Sequence, residues 1–177
     1  MNKVFGNISD FAPVKEDATR VIISFGYEAV GDGENATWIE IYFDKTVVAM
    51  PTFAQAKEAI INAINAITDE RILKGFVWNN KPVYLSTENQ FNYKAAYDVA
   101  VQTEGQTLPV KFKLGEDEEG QPVYHTFNSL SSFTDFYTRA IAYINQCLNE
   151  GWNEKDNFDW TPYEEALGAE QNVNTEE

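Results

Sequence analysis

The chain has 177 residues, is 44% apolar and 14% aromatic, and carries a formal charge of −15. That length favours one domain with at most a small appendage, and the apolar content excludes a disordered chain or a fibre repeat. So acidic a chain repels phosphate backbones, so neither nucleic acid nor an anionic membrane is an expected partner.

The charge is uneven. Glu116, Asp117, Glu118 and Glu119 form one acidic run, and residues 164–177 hold five more acids without a Lys or Arg. Removing these nine from the total of −15 leaves −6, an ordinary surface value. A solvated loop and a tail therefore explain most of the acidity, with an acidic DNA mimic as the sharper reading. The single cysteine, Cys147, permits no internal disulfide. The opening "MNKVFGNISDFAP" lacks the apolar core of a secretory signal, and no apolar run is long enough to span a bilayer.

In chain order, the residues before Arg20, including Pro13, read as an extended arm. "RVIISFGYEAV" (Arg20 to Val30) is rich in β-branched and aromatic residues and reads as a strand. "GDGEN" supplies a turn, and "ATWIEIYFD" (Ala36 to Asp44) is the returning strand. Its Ile39, Ile41 and Phe43 form an all-apolar face, expected inward, opposite a mixed face of Trp38, Glu40 and Tyr42.

"PTFAQAKEAIINAINAITDERI" follows. Thr52 and Gln55 have capping-box spacing, in which each side chain satisfies an orphan N–H of a helix start. Phe53, Ala56, Ile60, Ala63, Ile64 and Ile67 then recur at helical spacing. "GFVWNNKPVYLS" predicts a tight hairpin, because Asn79-Asn80 tolerate the positive φ its turn needs. Thr87 and Gln90 repeat the capping-box spacing before a helix that ends near Gly105. Phe91, Ala95 and Val99 are expected along one side of it, with Tyr93, Tyr97 and Val101 nearby.

"LPVKFKLGEDEEGQPVYHTF" predicts another hairpin with the acidic run at its tip. Ser132 and Asp135 have capping spacing ahead of a helix carrying Phe133, Phe136, Tyr137, Ala140, Ile141, Ile144 and Leu148, with Gly151 as its expected stop. Beyond it, Trp152, Phe158, Trp160 and Tyr163 are separated by polar residues. This segment either wraps back over the protein or docks on a partner. These four, with Trp38 and Tyr42, are the candidate partner-binding residues.

The unit of hairpin, capping residues and amphipathic helix thus occurs twice, and "PVY" opens the second strand of both hairpins. A lone hairpin cannot bury its apolar face, and a helix laid on it can. The expected fold is α+β, with repeated antiparallel hairpin-plus-helix units and the helices on one side of the strands. The segments expected are residues 1–50 (arm and hairpin), 51–156 (α+β domain) and 157–177 (acidic tail).

No catalytic or metal constellation stands out. His125 is the only histidine and is expected at the surface of its strand; with one Cys there is no ordinary zinc set. Cys147 reads as a buried thiol without basic neighbours in "NQCLNE". No nucleophile elbow, phosphate-cradling loop, dinucleotide fingerprint or EF-hand spacing occurs, and no carboxylate pair stands apart from the rest. Neither an enzyme nor a cofactor is expected. Gln90 and Asn92 can face a partner, but capping and solvation explain them equally well.

A helix ending in "ITDERI", the "GFVWNNKPVYLS" hairpin, the "ENQFN" segment and a closing helix "FTDFYTRAIAYINQCLNEGW" come in that order between Phe53 and Asp156. This order resembles an uncharacterised domain family of tailed-phage and prophage genomes, often encoded beside tail-fibre or tail-tip genes, and the chain is similar in style to Bacteroidetes prophage members. The resemblance implies a non-enzymatic tail-associated protein, structural or adaptor, sited in the virion tail or in the host cytoplasm during assembly. Its implied partners are tail or fibre proteins or further copies of itself, and it carries over no catalytic residues. The alternatives are a tail-fibre assembly chaperone, an acidic DNA-mimic counter-defence protein, and a carbohydrate-binding or hydrolysing module.

Overall fold

The structure, a computed structural model, describes residues 1–31 and 33–168. It is α+β, with antiparallel strand pairing throughout. The chain divides into two compact units: residues 1–64 with 157–177, and residues 65–156. The first cut falls inside a helix, and the second lies between Asp156 and Asn157.

In the first unit, the expected hairpin forms from β3 (Arg20–Val30) and β4 (Asn35–Asp44). The arm before it is extended, but it is built into the sheet. Its β1 (Asn2–Asn7) pairs with β4 and its β2 (Val14–Glu16) pairs with β3, giving the order β1-β4-β3-β2. The register between β3 and β4 slips by one residue between Phe25 and Glu28, at a bulge where Gly26 takes φ +67°, a conformation open to glycine.

The more buried face of β4 is the mixed one, not the apolar one expected. Trp38 and Glu40 are buried, and Ile39, Ile41 and Phe43 only half so. A buried carboxylate needs donors, and Glu40 has three: Lys15 Nζ at 2.7 Å and the Trp38 indole N–H at 3.0 Å to Oε1, and the Tyr42 hydroxyl at 2.8 Å to Oε2. Burial pushes the Glu40 carboxyl up, but these bonds together outweigh it and hold the group below its ordinary value.

Helix α1 (Phe53–Lys74) starts as its sequence predicts. The Thr52 hydroxyl accepts from Gln55 N at 3.2 Å, and Gln55 Oε1 accepts from Thr52 N at 2.9 Å. Phe158, Trp160 and Tyr163 pack within this unit. Phe158 lies 6.2 Å from Phe25 and Trp160 6.1 Å from Phe53, ring centre to ring centre. Tyr163, in the short helix α4 (Thr161–Leu167), donates its hydroxyl to the Ser24 carbonyl at 2.7 Å. The rest of the acidic tail, 169–177, lies outside the described residues.

The second unit holds both hairpin-plus-helix repeats. Strands β5 (Phe76–Trp78) and β6 (Lys81–Val83) join through Asn79 and Asn80, both at positive φ as the sequence predicts. The N-cap of α2 (Thr87–Gln102) is Ser86, one residue before the expected Thr87, and its hydroxyl accepts from Asn89 N at 3.2 Å. Gln90 instead donates to the Leu85 carbonyl at 2.6 Å. The buried side of α2 is also rotated from the expected one. Tyr93 and Ala100 are buried and Ala96 and Tyr97 half-buried, while Phe91 and Val99 face solvent. Tyr93 packs edge-on against Phe112 and Phe136, and Tyr97 stacks on Tyr137, so ring-to-ring packing decides the face.

Strands β7 (Val110–Glu116) and β8 (Pro122–Phe127) make the second hairpin with the acidic run at its tip. The two hairpins meet where Tyr84 N donates to the Leu114 carbonyl at 2.7 Å. Helix α3 (Leu130–Asp156) is capped by Ser129 rather than Ser132, since Ser129 Oγ accepts from Ser132 N at 3.3 Å. Nor does α3 stop at Gly151: it runs on to Asp156, and Gly151 is buried inside it. Trp78, Leu85, Tyr93, Leu114, Phe127, Phe133 and Phe136 form the centre of this unit's core.

Candidate functional site

The six candidate aromatics fall into three settings. Trp38 is 2% exposed and Tyr163 4%, so neither presents a surface to a partner; Trp38 and Tyr42 instead serve the Glu40 network. Phe158 and Trp160 are half-buried in the cluster with Tyr163, and Lys57 Nζ sits 5.4 Å above the Trp160 ring. Only Trp152, 52% exposed, offers an open ring.

His125 is half-buried on the core side, not at the surface. Its ring lies 4.9 Å from that of Trp78 and 4.6 Å from that of Phe127, and Lys81 Nζ stands 3.1 Å from Nδ1. An ammonium can only donate, so Nδ1 is the lone-pair nitrogen and the imidazole is neutral. Burial and then the Lys81 charge lower its pKa. Trp78 completes the arrangement by donating its indole N–H to Asp135 at 2.9 Å. Cys147 is buried, as its place on the apolar side of α3 predicts. Among the described residues no group of three or more His, Cys, Asp or Glu is placed to hold a metal ion.

A concavity of the second unit runs beside Trp152. One cavity of about 250 Å³ is lined by Asn65, Thr68 and Asp69 of α1 and by Leu148, Gly151, Trp152 and Lys155 of α3. A second, of about 520 Å³, is lined from Asp69, Ile72 and Leu73 across to Ser86, Thr87 and Gln90, with Ile144 and Leu148. Asp69 and Leu148 line both, so the two are neighbouring compartments of one groove.

The local sequence explains the groove's inner end. The Cβ that Gly151 lacks would fall on the Thr68 hydroxyl, so only glycine lets α1 and α3 approach so closely there. Lys155 Nζ donates to Asn65 Oδ1 at 2.7 Å, which fixes the amide orientation and leaves Asn65 Nδ2 as a donor. Of these residues the sequence singles out Trp152 and Gln90. Asn65 and Asp69 carry no signal in one dimension, because they are simply the polar side of an amphipathic helix.

A third cavity, of about 500 Å³, lies over the outer face of the β5–β6 hairpin, where Val77, Pro82 and Tyr84 meet Lys74 and the Glu116–Glu118 run. Two of its charges are already paired: Lys74 with Glu70 at 3.1 Å and Glu116 with Lys113 at 2.7 Å.

The fold is therefore α+β, with a groove between helices beside Trp152, and no helix among the described residues is long and apolar enough to cross a membrane. The chain belongs to the family described as "Domain of unknown function (DUF4376)", whose model matches residues 55–171. No curated protein and no solved structure matches the chain.

Proposed function

We propose that this chain is a non-enzymatic component of a bacteriophage tail, a structural or adaptor part of the tail or of fibre attachment. The observation that carries an adaptor role is the outer face of α2, where Phe91 is 71% exposed and Val99 46%, with exposed Ala95 between them. Spacing of four residues puts all three on one stripe, and such a stripe left in solvent is a feature of surfaces that meet another protein. The tail context is supported by the resemblance between Phe53 and Asp156, over which the family match also runs.

Quantitative mass spectrometry of gradient-purified particles tests the reading. A fixed ratio of this chain to the tail-tube protein is the expected result. Abundance in the lysate with absence from particles overturns it and favours an assembly chaperone for the fibre.

A further inference from the structure

The geometry points to the groove beside Trp152 as a binding site for a neutral oligosaccharide. A pyranose presents a patch of C–H groups on one face and a rim of hydroxyls that both donate and accept. A site for it needs an open aromatic face and side chains of mixed polarity around that face. The inner compartment supplies both. Trp152 is half-exposed, and beside it lie the Asp69 carboxylate as acceptor, Asn65 Nδ2 as donor and the Lys155 ammonium. The Gly151–Thr68 approach closes its inner end.

The second compartment makes the ligand longer than one ring. It continues past the shared Asp69 and Leu148 to Thr87 and Gln90, over a floor of Ile72, Ile144 and Leu148. Gln90 gives its N–H to the Leu85 carbonyl, which leaves Oε1 as an acceptor at the far end. Polar groups at both ends of an apolar floor suit successive sugar rings.

Peptide modes fit less well. Strand addition needs a free strand edge, and the residues that line the two compartments lie on helices and on the turn before α2. Helix docking needs an unbroken apolar stripe, and here Asp69 interrupts it where the compartments join. That carboxylate, on a chain of −15, also disfavours acidic sugars.

The inference gives the proposed tail protein a ligand, but it stands or falls on separate data: particle ratios need no sugar, and the following titration needs no particle. The isotope-labelled full chain is titrated with maltotriose, cellotriose, mannotriose and triacetylchitotriose while the Trp152 indole N–H and the backbone amides of Asp69, Gly151 and Gln90 are followed by NMR. Saturable movement with at least one trisaccharide, with Kd on the order of 1 mM, is expected. W152A, at a half-exposed position, should weaken binding at least about tenfold. D69N should weaken it too, and Q90A should weaken the trisaccharide but not the corresponding monosaccharide. No movement with any of the four sugars overturns the site, and so does unchanged binding by both W152A and D69N.

Discussion

Gly151 of α3 and Thr68 of α1 approach so closely that any β-carbon at position 151 would overlap the threonine hydroxyl. In an exposed helix, Gly→Ala gains about 1 kcal/mol of helix propensity. Here overpacking of about 1–3 kcal/mol opposes that gain. We expect Gly151→Ala to lower stability, and Thr68→Ala combined with it to recover much of the loss. Denaturant unfolding of the two single variants and the double variant measures the coupling, and strict additivity would sink the argument.

The Glu40 network makes the first unit acid-sensitive. Its folded pKa lies below the ordinary 4.5, so its stabilisation is present above that pH and is lost as pH falls through the lower, folded value. Glu40→Gln should cost about 1–3 kcal/mol near neutral pH. The gap from the unmodified chain should narrow in acid, as followed by urea unfolding at pH 7 and pH 3.

His125 acts in a different window. Its folded pKa is below 6.5, so the neutral imidazole contributes stability above pH 6.5 that disappears as pH falls past the folded value. Replacing His125 with Gln should flatten the stability profile just below pH 6.5. The ring lies 4.9 Å from Trp78, so tryptophan fluorescence during a pH titration should report protonation and lose that step in the variant.

Tyr93 is 2% exposed, and its hydroxyl has no hydrogen-bond partner among the described residues. Burial pushes its pKa up to about 12 from an ordinary 10.0. The fold therefore favours the neutral form, and this stabilisation, fully present below pH 10, is lost as pH rises through about 12. Tyr93→Phe should be neutral or stabilising by up to about 1–2 kcal/mol, because an orphan buried hydroxyl is removed while the ring stays. A marked loss of stability would show that the hydroxyl has a partner.

The rotated face of α2 separates two phenylalanines. Phe91→Glu should change stability by less than about 0.5 kcal/mol, since the side chain stands in solvent. Phe136→Ala should cost about 3–5 kcal/mol, because Phe136 is fully buried. Thermal unfolding of both variants checks the orientation of the helix.

Much of the fold was legible because its signals are local. The Thr52–Gln55 box, the Asn79-Asn80 turn and the β7–β8 hairpin each depend on neighbours a few residues apart. Where several hydroxyls adjoin, as at Ser86-Thr87 or Ser129 to Ser132, spacing alone does not choose the cap; the path of the preceding chain does. Gly151 misled because glycine often ends helices, whereas here it admits a neighbouring helix. The pairing of β1 and the burial of Glu40 depend on residues some 25 to 40 positions away, beyond any periodicity. The groove had only two visible marks, Trp152 and Gln90, since its walls come from three separate segments.

The first sixteen residues hold the β3–β4 hairpin like the two jaws of a clamp, β1 on one outer edge and β2 on the other. A cut after residue 16 would therefore not trim the sheet from one side. It would strip both flanks at once and leave two strands, a number seldom stable alone in water, with Val21, Ile23 and Ala36 beside newly opened backbone edges. Proteolysis of that opening segment would act less like wear on a loose end than like release of a catch, turning a four-stranded sheet into a sticky pair of strands.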